Sequence, residues 1–246
     1  MGALALLAAL QAADEHLEAV RKAIGKTSSQ SYGYEVKGKY ERAGEFAPDD
    51  ILTSRIKQYQ SARRGESILV KGPEGLWKTP DERLGEKVER PDPEAAPIVR
   101  ILQETEPPHR ILERALTCVE KGRAPEDREV DGVLCQRYVL ALTPAPLKEH
   151  LSAHMEKAIK AGTLSRPDEY RWSSTMKGSI AVYVSKKDGR LVKVKDERSV
   201  KIAYKVPDGQ PEIKTYKLEM EFEFARWGEA KPELPKEVKD RLGLKE

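Results

Sequence analysis

Hydrophobic and polar residues alternate along several stretches of the chain, a pattern typical of half-buried β-strands. In residues 32–40, tyrosine and valine share one face while lysine and glutamate occupy the other. The clearest alternation runs from Leu218 to Phe224, where every second residue is a glutamate. Each of these stretches predicts a strand with one face in a core and one face in water.

Shorter apolar runs between turn residues predict more strands, at 51–63, 67–71, 76–79, 132–142, 178–185, 191–194 and 200–206. Their connections are short, and Asp188-Gly189 is a strong hairpin signal because this pair accepts positive φ. Short connections favour antiparallel pairing. Residues 78–97 and 121–131 show no periodicity, and we interpret them as a surface excursion and a polar loop.

Three segments have helical periodicity, at 14–26, 98–118 and 146–161, and Pro107-Pro108 divides the second into two short helices. A sheet with one wet face must cover its apolar face, and these amphipathic helices are the available cover. The sequence therefore predicts the α+β class. We expect a strongly curved antiparallel sheet, a half-open barrel, with helices on its concave face.

The first ten residues are apolar and resemble the hydrophobic region of a signal peptide, although no basic residue precedes them. The alternative is the first turns of an amphipathic helix that continues to Ile24. We expect residues 1–13 to be a signal peptide, 14–230 to be a single domain and 231–246 to be a C-terminal tail. The mature protein is then extracytoplasmic.

Composition excludes several classes of protein. The chain has 246 residues, of which 39% are hydrophobic and 35% charged, and its 44 basic and 41 acidic residues leave a net charge of +3. The basic residues are dispersed, which argues against a nucleic-acid partner. No internal segment approaches the ~20 apolar residues of a spanning helix, so the mature chain is not expected to span a membrane.

The two cysteines, Cys118 and Cys135, leave two alternatives open. In an oxidising compartment they would form a disulfide worth on the order of 3 kcal/mol through loop entropy. The other alternative is two buried free thiols, and spacing does not decide between them.

No motif in the chain predicts catalysis. His150 and His154 have the spacing of two zinc ligands on one helix, but Leu151 stands where a metalloprotease has glutamate. There is no nucleophile elbow and no phosphate-binding loop. We expect a non-enzymatic protein without metal or cofactor.

Three stretches carry a resemblance to a known family: residues 132–142, the hairpin 177–193 and the run 216–228 that ends in Arg-Trp-Gly. Together with the order of elements, they resemble the periplasmic lipoprotein carrier superfamily, which is LolA/LolB-like and includes mycobacterial lipid-carrier lipoproteins. The resemblance implies a half-open barrel that holds acyl chains under helices. It implies a bacterial, periplasmic carrier in outer-membrane sorting whose partner is a lipid or the acyl chain of a lipoprotein. The alternative is an envelope sensor or interaction domain with a protein partner and no shuttling role.

The apolar faces of the strands and helices supply the expected lining of such a cavity. It comprises Tyr34, Val36, Tyr40, Ile101, Leu112, Leu151, Met155, Val182, Val184, Ile202, Tyr204, Met220, Phe222 and Phe224. Methionine and phenylalanine suit an irregular, flexible ligand. The alternative is that these residues simply fill the protein core.

Overall fold

A computed structural model of the chain describes residues 2–86, 92–146, 170–172, 177–204 and 212–244. It contains one large antiparallel sheet that does not close on itself, together with a few helices, so the predicted α+β class is confirmed. Eleven strands follow one another in the order β6-β5-β4-β3-β2-β1-β13-β12-β11-β9-β7, while β10 pairs with β12 and β8 with β9.

The strands of the described residues are short at the start of the chain and long at its end. Their bounds are β1 Tyr32–Lys37, β2 Arg42–Ala47, β3 Ile51–Ile56, β4 Tyr59–Arg64, β5 Ser67–Lys71, β6 Trp77–Lys78, β7 Val119–Gly122, β8 Glu126–Val130, β9 Val133–Leu142, β10 Tyr170–Trp172, β11 Lys177–Ser185, β12 Leu191–Tyr204 and β13 Glu212–Ala225.

Helices occupy the N-terminus, the middle and the C-terminus of the described residues. They are α1 Gly2–Ser28, α2 Pro80–Leu84, α3 Ala95–Glu104, α4 Pro108–Leu116 and α5 Lys236–Arg241. Within the part of the chain that the structure describes, no helix combines the length and the apolar character needed to cross a bilayer.

The chain divides into two compact units. The first unit is Met1–Lys26 with Leu112–Glu221, and the second is Thr27–Ile111 with Phe222–Glu246. In the first unit, the core includes fully buried side chains from α1 and from the long strands β9, β11 and β12, among them Val20, Leu140, Ile180 and Leu191. The predicted domain boundaries after residues 13 and 230 stay predictions.

The second unit has helices packed on opposite faces of its strands. Ile98, Val99 and Leu102 of α3 pack against Ile56, Tyr59 and Val70 of the sheet. On the other face, Val238 and Leu242 of the C-terminal segment pack with Ala62 and Leu69. Segment 231–246, expected to be a polar tail, thus contributes a buried cluster to this unit.

Two predicted strands belong to hairpins in the structure. The predicted strand at 32–40 ends at Lys37, and residues 42–47 return as β2, a strand that the sequence did not predict. The predicted strand at 51–63 is β3 and β4, which reverse at Lys57, a residue with φ of 52°. Lysine is rare at positive φ, so this turn has no sequence signal.

The segments without periodicity also contain regular structure. Helix α2 lies in the predicted excursion and begins with a capping box, in which Thr79 and Glu82 bond each other's backbone N–H. The predicted loop at 121–131 includes the second half of β7 and all of β8. Strand β12 joins the predicted strands at 191–194 and 200–206 as far as Tyr204. The predicted helix at 146–161 falls almost entirely outside the described residues.

Both cysteines are buried free thiols, so the disulfide that the sequence left open is not formed. The Cys118 carbonyl accepts a hydrogen bond from the Thr143 amide, just beyond one end of β9. Cys135 lies near the other end of β9, paired with Ser185 and Arg128. The rise along a strand, about 3.3 Å per residue, puts roughly 25 Å between these points. A disulfide requires Cα atoms within about 7 Å.

Candidate functional site

The apolar face of the second unit is built from rows of side chains that run across neighbouring strands. Residues paired across an antiparallel sheet point to the same face. The first row, called the aromatic row, is Tyr32, Phe46, Leu52, Arg63 and Ile68. The next row, called the small-residue row, is Tyr34, Gly44, Ser54, Ser61 and Val70. Beyond it, Val36 pairs with Arg42.

Within the small-residue row, the side chain of Tyr34 lies against its neighbours Gly44 and Ser54. Its hydroxyl donates to the Thr53 carbonyl at 3.0 Å and also lies within hydrogen-bond distance of Ser54 Oγ. The ring crosses Gly44, where an added Cβ would stand 2.6 Å from Tyr34 Oη and even closer to the Thr53 carbonyl. Only glycine leaves room for this arrangement, so no side chain projects from the sheet at position 44.

Arg42 and Arg63 flank the small-residue row from opposite sides. Arg42 precedes Gly44 by two residues on β2, and Arg63 follows Ser61 by two residues on β4. Both guanidinium groups reach Thr105, which follows α3. Arg42 Nη1 donates to Thr105 Oγ1 at 3.2 Å, and Arg63 Nη1 donates to the Thr105 carbonyl at 2.6 Å.

Burial dominates the electrostatics of this face. It lowers the pKa of the Arg42 guanidinium below its ordinary value, and it raises the pKa of the Tyr34 phenol. Arg42 and Ser54 oppose the rise at Tyr34, because a nearby cation and a hydrogen bond both favour the phenolate. Arginine keeps its proton in proteins, so Arg42 brings a positive charge into an apolar setting.

A groove of about 670 Å³ opens beside this face, between the turn that joins β1 to β2 and the turn that joins β3 to β4. Four of its twelve lining residues are apolar or aromatic, namely Val36, Tyr40, Ala43 and Ile56, and the other eight, including Arg42, are charged. Lys57 and Glu94 form an ion pair at its rim. The groove therefore combines apolar walls with charged groups, which suits an amphiphilic ligand better than a purely apolar one.

A second groove, of about 640 Å³, is lined mainly by residues of the opposite face, such as Glu45 and Trp77, and by Arg226 and the segment after it. The Arg226 guanidinium donates to Glu45 Oε1 at 2.6 Å and covers Gly33, where a Cβ would be 2.7 Å from Arg226 Nη2. Its lining is largely polar, and Arg226 and Glu45 are already bonded to each other, so this groove suits an apolar ligand less well than the first.

The predicted lining residues divide between the two units. In the second unit, Tyr34, Val36, Phe222 and Phe224 are buried and Tyr40 and Ile101 are partly buried. In the first unit, Leu112, Val182 and Val184 are buried and Met220 is half-buried. Ile202 and Tyr204 lie on β12. Leu151, Met155 and the histidine pair His150 and His154 lie outside the described residues. That these side chains line a cavity stays a prediction.

The sequence analysis missed Arg42, Arg63 and Thr105. For the two arginines the signal would have been a charged residue on the apolar face of a strand, but it appears only once β2 and β4 are recognised as separate strands. Among the described residues, no group of three or more His, Cys, Asp or Glu side chains is arranged to hold a metal ion.

Comparisons with known proteins return structures but no relatives by sequence. No family model and no curated protein matches the chain. LprF from Mycobacterium bovis has a TM-score of 0.47 at 9% identity, over 90% of this chain and 97% of that one. The LolA superfamily protein NE2245 from Nitrosomonas europaea has a TM-score of 0.25 at 9% identity, over 92% of this chain and 96% of that one. The superfamily that the sequence resembles is thus also represented among the similar structures.

Proposed function

We propose that this chain binds the acyl chains of a lipid or of a lipoprotein, without catalysing a reaction. The observation that carries the proposal is the groove whose apolar walls are Val36, Tyr40 and Ile56. Its volume of about 670 Å³ lies in the ordinary range of ligand sites, roughly 300–1,000 Å³. An acyl chain gains about 0.8 kcal/mol for each CH₂ group that it buries, so even a short buried segment contributes useful affinity.

The walls of the groove are continuous with the core of the second unit. Ile56 belongs to the cluster that α3 covers, and Tyr40 packs at the margin of that cluster. An acyl chain entering between the two hairpin turns would therefore meet α3 and the sheet, not bulk solvent. Charged side chains at the rim, such as Lys39 and Glu94, would stay hydrated beside the head group.

Under this proposal the protein works outside the cytoplasm, after removal of residues 1–13, as a carrier in outer-membrane sorting. A sensor of the same fold would bind lipid without passing it on. Transfer of a labelled lipid between donor and acceptor vesicles separates these roles, because only a carrier speeds the transfer in proportion to its concentration.

The first test is native mass spectrometry of the full chain, followed by solvent extraction and lipid analysis. We expect a bound species with the mass of a lipid, and saturable binding of a pyrene-labelled diacylglycerol, a probe without charge. Absence of both would overturn the proposal.

A pair of matched variants locates the site. Tyr40→Lys places a charge on an apolar wall of the groove and is expected to weaken diacylglycerol binding about tenfold or more. Ser67→Lys adds the same charge at an exposed position of β5 and should bind like the wild type. Equal binding by the two variants would place the acyl chain elsewhere.

A further inference from the structure

Arg42 and Arg63 have many more hydrogen-bond donors than acceptors around them. A guanidinium has five N–H donors, and within the residues that the structure describes each of these two groups makes one hydrogen bond, to Thr105. The Nε atom of each is buried without an acceptor. Among the described residues, no carboxylate lies within ion-pair distance of either group, although Glu106 follows Thr105 directly.

The local charge is also unbalanced. The C-terminal end of a helix carries about half an elementary negative charge, and the Thr105 carbonyl at the end of α3 presents it to Arg63. The two guanidinium groups carry two positive charges. Both side chains are only partly buried, but their Nε atoms are buried without an acceptor, and an unsatisfied buried donor is costly. Within the described part of the chain, these two cations are therefore not neutralised by an ion pair.

The fold directs these two cations to one place. They start on opposite sides of the small-residue row and converge on Thr105 above it. Between them, Gly44, Ser54 and Ser61 have small side chains or none, and the Tyr34 side chain lies over Gly44 and reaches Ser54. Of Arg42, Arg63 and Thr105, Arg42 also lines the groove described above.

We propose that Arg42 and Arg63 bind an oxyanion, a phosphate or carboxylate group, which is the acidic head group of the lipid held by the groove. The planar guanidinium matches both groups, since it can donate two parallel hydrogen bonds to their oxygens. The Thr105 hydroxyl lies at the same point and adds a polar side chain to the site. This inference rests on the proposed function for the lipid as the source of the anion. Free phosphate offers the same chemistry, and the experiment separates the two.

Three probes are titrated into the full chain at constant ionic strength. They are pyrene-labelled phosphatidic acid, the matching pyrene-labelled diacylglycerol and inorganic phosphate. We expect the wild type to bind phosphatidic acid at least about tenfold more tightly than diacylglycerol, since one charge-assisted hydrogen bond accounts for a factor of that order.

The variants are Arg42→Gln, Arg63→Gln and the double variant, with Arg21→Gln as control. Arg21 is exposed on α1 and belongs to the first unit. The double variant should bind both lipids with equal affinity, whereas Arg21→Gln should retain the preference. Arg42→Met with Arg63→Met supplies a folding readout. Replacing these partly buried charges, which have no carboxylate partner among the described residues, by apolar chains should leave the melting temperature in lipid-free buffer unchanged or raised.

Each outcome separates this inference from the proposed function. Equal binding of both lipids by the wild type, or a preference that survives in the double variant, overturns the anion site and leaves acyl binding standing. Binding of inorganic phosphate that disappears in the double variant, with neither lipid bound, supports the anion site and overturns lipid as its source. A clear fall in the melting temperature of the methionine variant would show that the arginines stabilise the fold, and would also overturn the inference.

Discussion

Tyr32 Oη and His109 Nδ1 are 2.7 Å apart in the interior of the second unit. The two rings meet edge to face, and Phe46 and Phe224 surround them with centroid distances of 4.7 Å to His109 and 5.5 Å to Tyr32, respectively. Burial, assisted by the nearby charge of Arg110, lowers the pKa of His109 to about 4. His109 is therefore neutral at physiological pH, and this hydrogen bond ties α4 to β1.

The low pKa of His109 makes stability depend on pH in a defined window. The unfolded chain takes up the proton near its ordinary pKa of 6.5, whereas the folded chain takes it up only near 4. Between these values the unfolded state binds more protons, so acid favours unfolding. We expect the free energy of unfolding to fall by about 3 kcal/mol as the pH drops from 7 to 4, measured by urea denaturation.

His109→Gln serves as the comparison for this prediction. Glutamine keeps a polar group near Tyr32 but does not titrate, so the loss between pH 6.5 and 4 should shrink by most of that amount. Carboxylates also make the free energy of unfolding depend on pH, mainly below pH 5, and they do so in both proteins. If the wild type and His109→Gln lose stability in parallel over the whole window, the assignment to His109 is wrong.

Gly44 is predicted to tolerate no side chain. Its Cβ would meet the Thr53 carbonyl and the Tyr34 ring, both held in place by the hydrogen bond between them. Gly44→Ala should destabilise the protein by about 1–3 kcal/mol in thermal or urea unfolding, as overpacking does. Gly25→Ala is the matched control, since nothing lies within 4 Å of its added Cβ in α1. Alanine there should stabilise the helix by roughly 0.5–1 kcal/mol.

The strands that the sequence predicted well have two local signals. Alternating apolar and polar residues mark their faces, and turn residues mark their ends. The residues Asp188-Gly189 lie in the turn between β11 and β12, and Gly189 has φ of 69°. Strand β8 failed for the opposite reason. It is an almost fully exposed strand, Glu126–Val130, beside β9, so no alternation between core and solvent marks it.

The site was harder to predict than the fold, because its geometry depends on pairing between strands. Arg42 and Arg63 lie on separate strands, and each looks like an ordinary surface charge in the sequence. Only the register that aligns Gly44, Ser54 and Ser61 places these arginines on either side of one row. Val36 and Tyr34, by contrast, follow simple alternation and were assigned to the apolar face from the sequence.

The first unit contains a buried ion pair on β12 that should be sensitive to single substitutions. Arg198 Nη2 and Nε donate to the two carboxylate oxygens of Asp196 at 2.6 Å and 2.8 Å, and both side chains are under 5% exposed. Asp196→Asn leaves a buried guanidinium without its anion, which should cost about 3–5 kcal/mol in urea unfolding.

The double variant Asp196→Val with Arg198→Met tests the physical reason for that cost. It removes both charges together and should be clearly more stable than Asp196→Asn, because no unpaired ion remains. If the double variant is the less stable of the two, the pair contributes through its shape and hydrogen bonds and the desolvation argument fails.

Leu242 at the end of α5 tests whether the C-terminal segment is part of the second unit. Leu242 and Val238 bury themselves against Ala62 and Leu69, and Arg241 Nη1 donates to the Trp77 carbonyl at 2.8 Å. Leu242→Ala would leave a cavity between the helix and the sheet, so we expect a loss of about 2–5 kcal/mol in chemical denaturation. Lys239→Ala, an exposed change on the same helix, should stay within about 0.5 kcal/mol of the wild type. Indistinguishable stabilities for these two variants would mean that residues 231–246 are the detachable tail that their polar composition suggests.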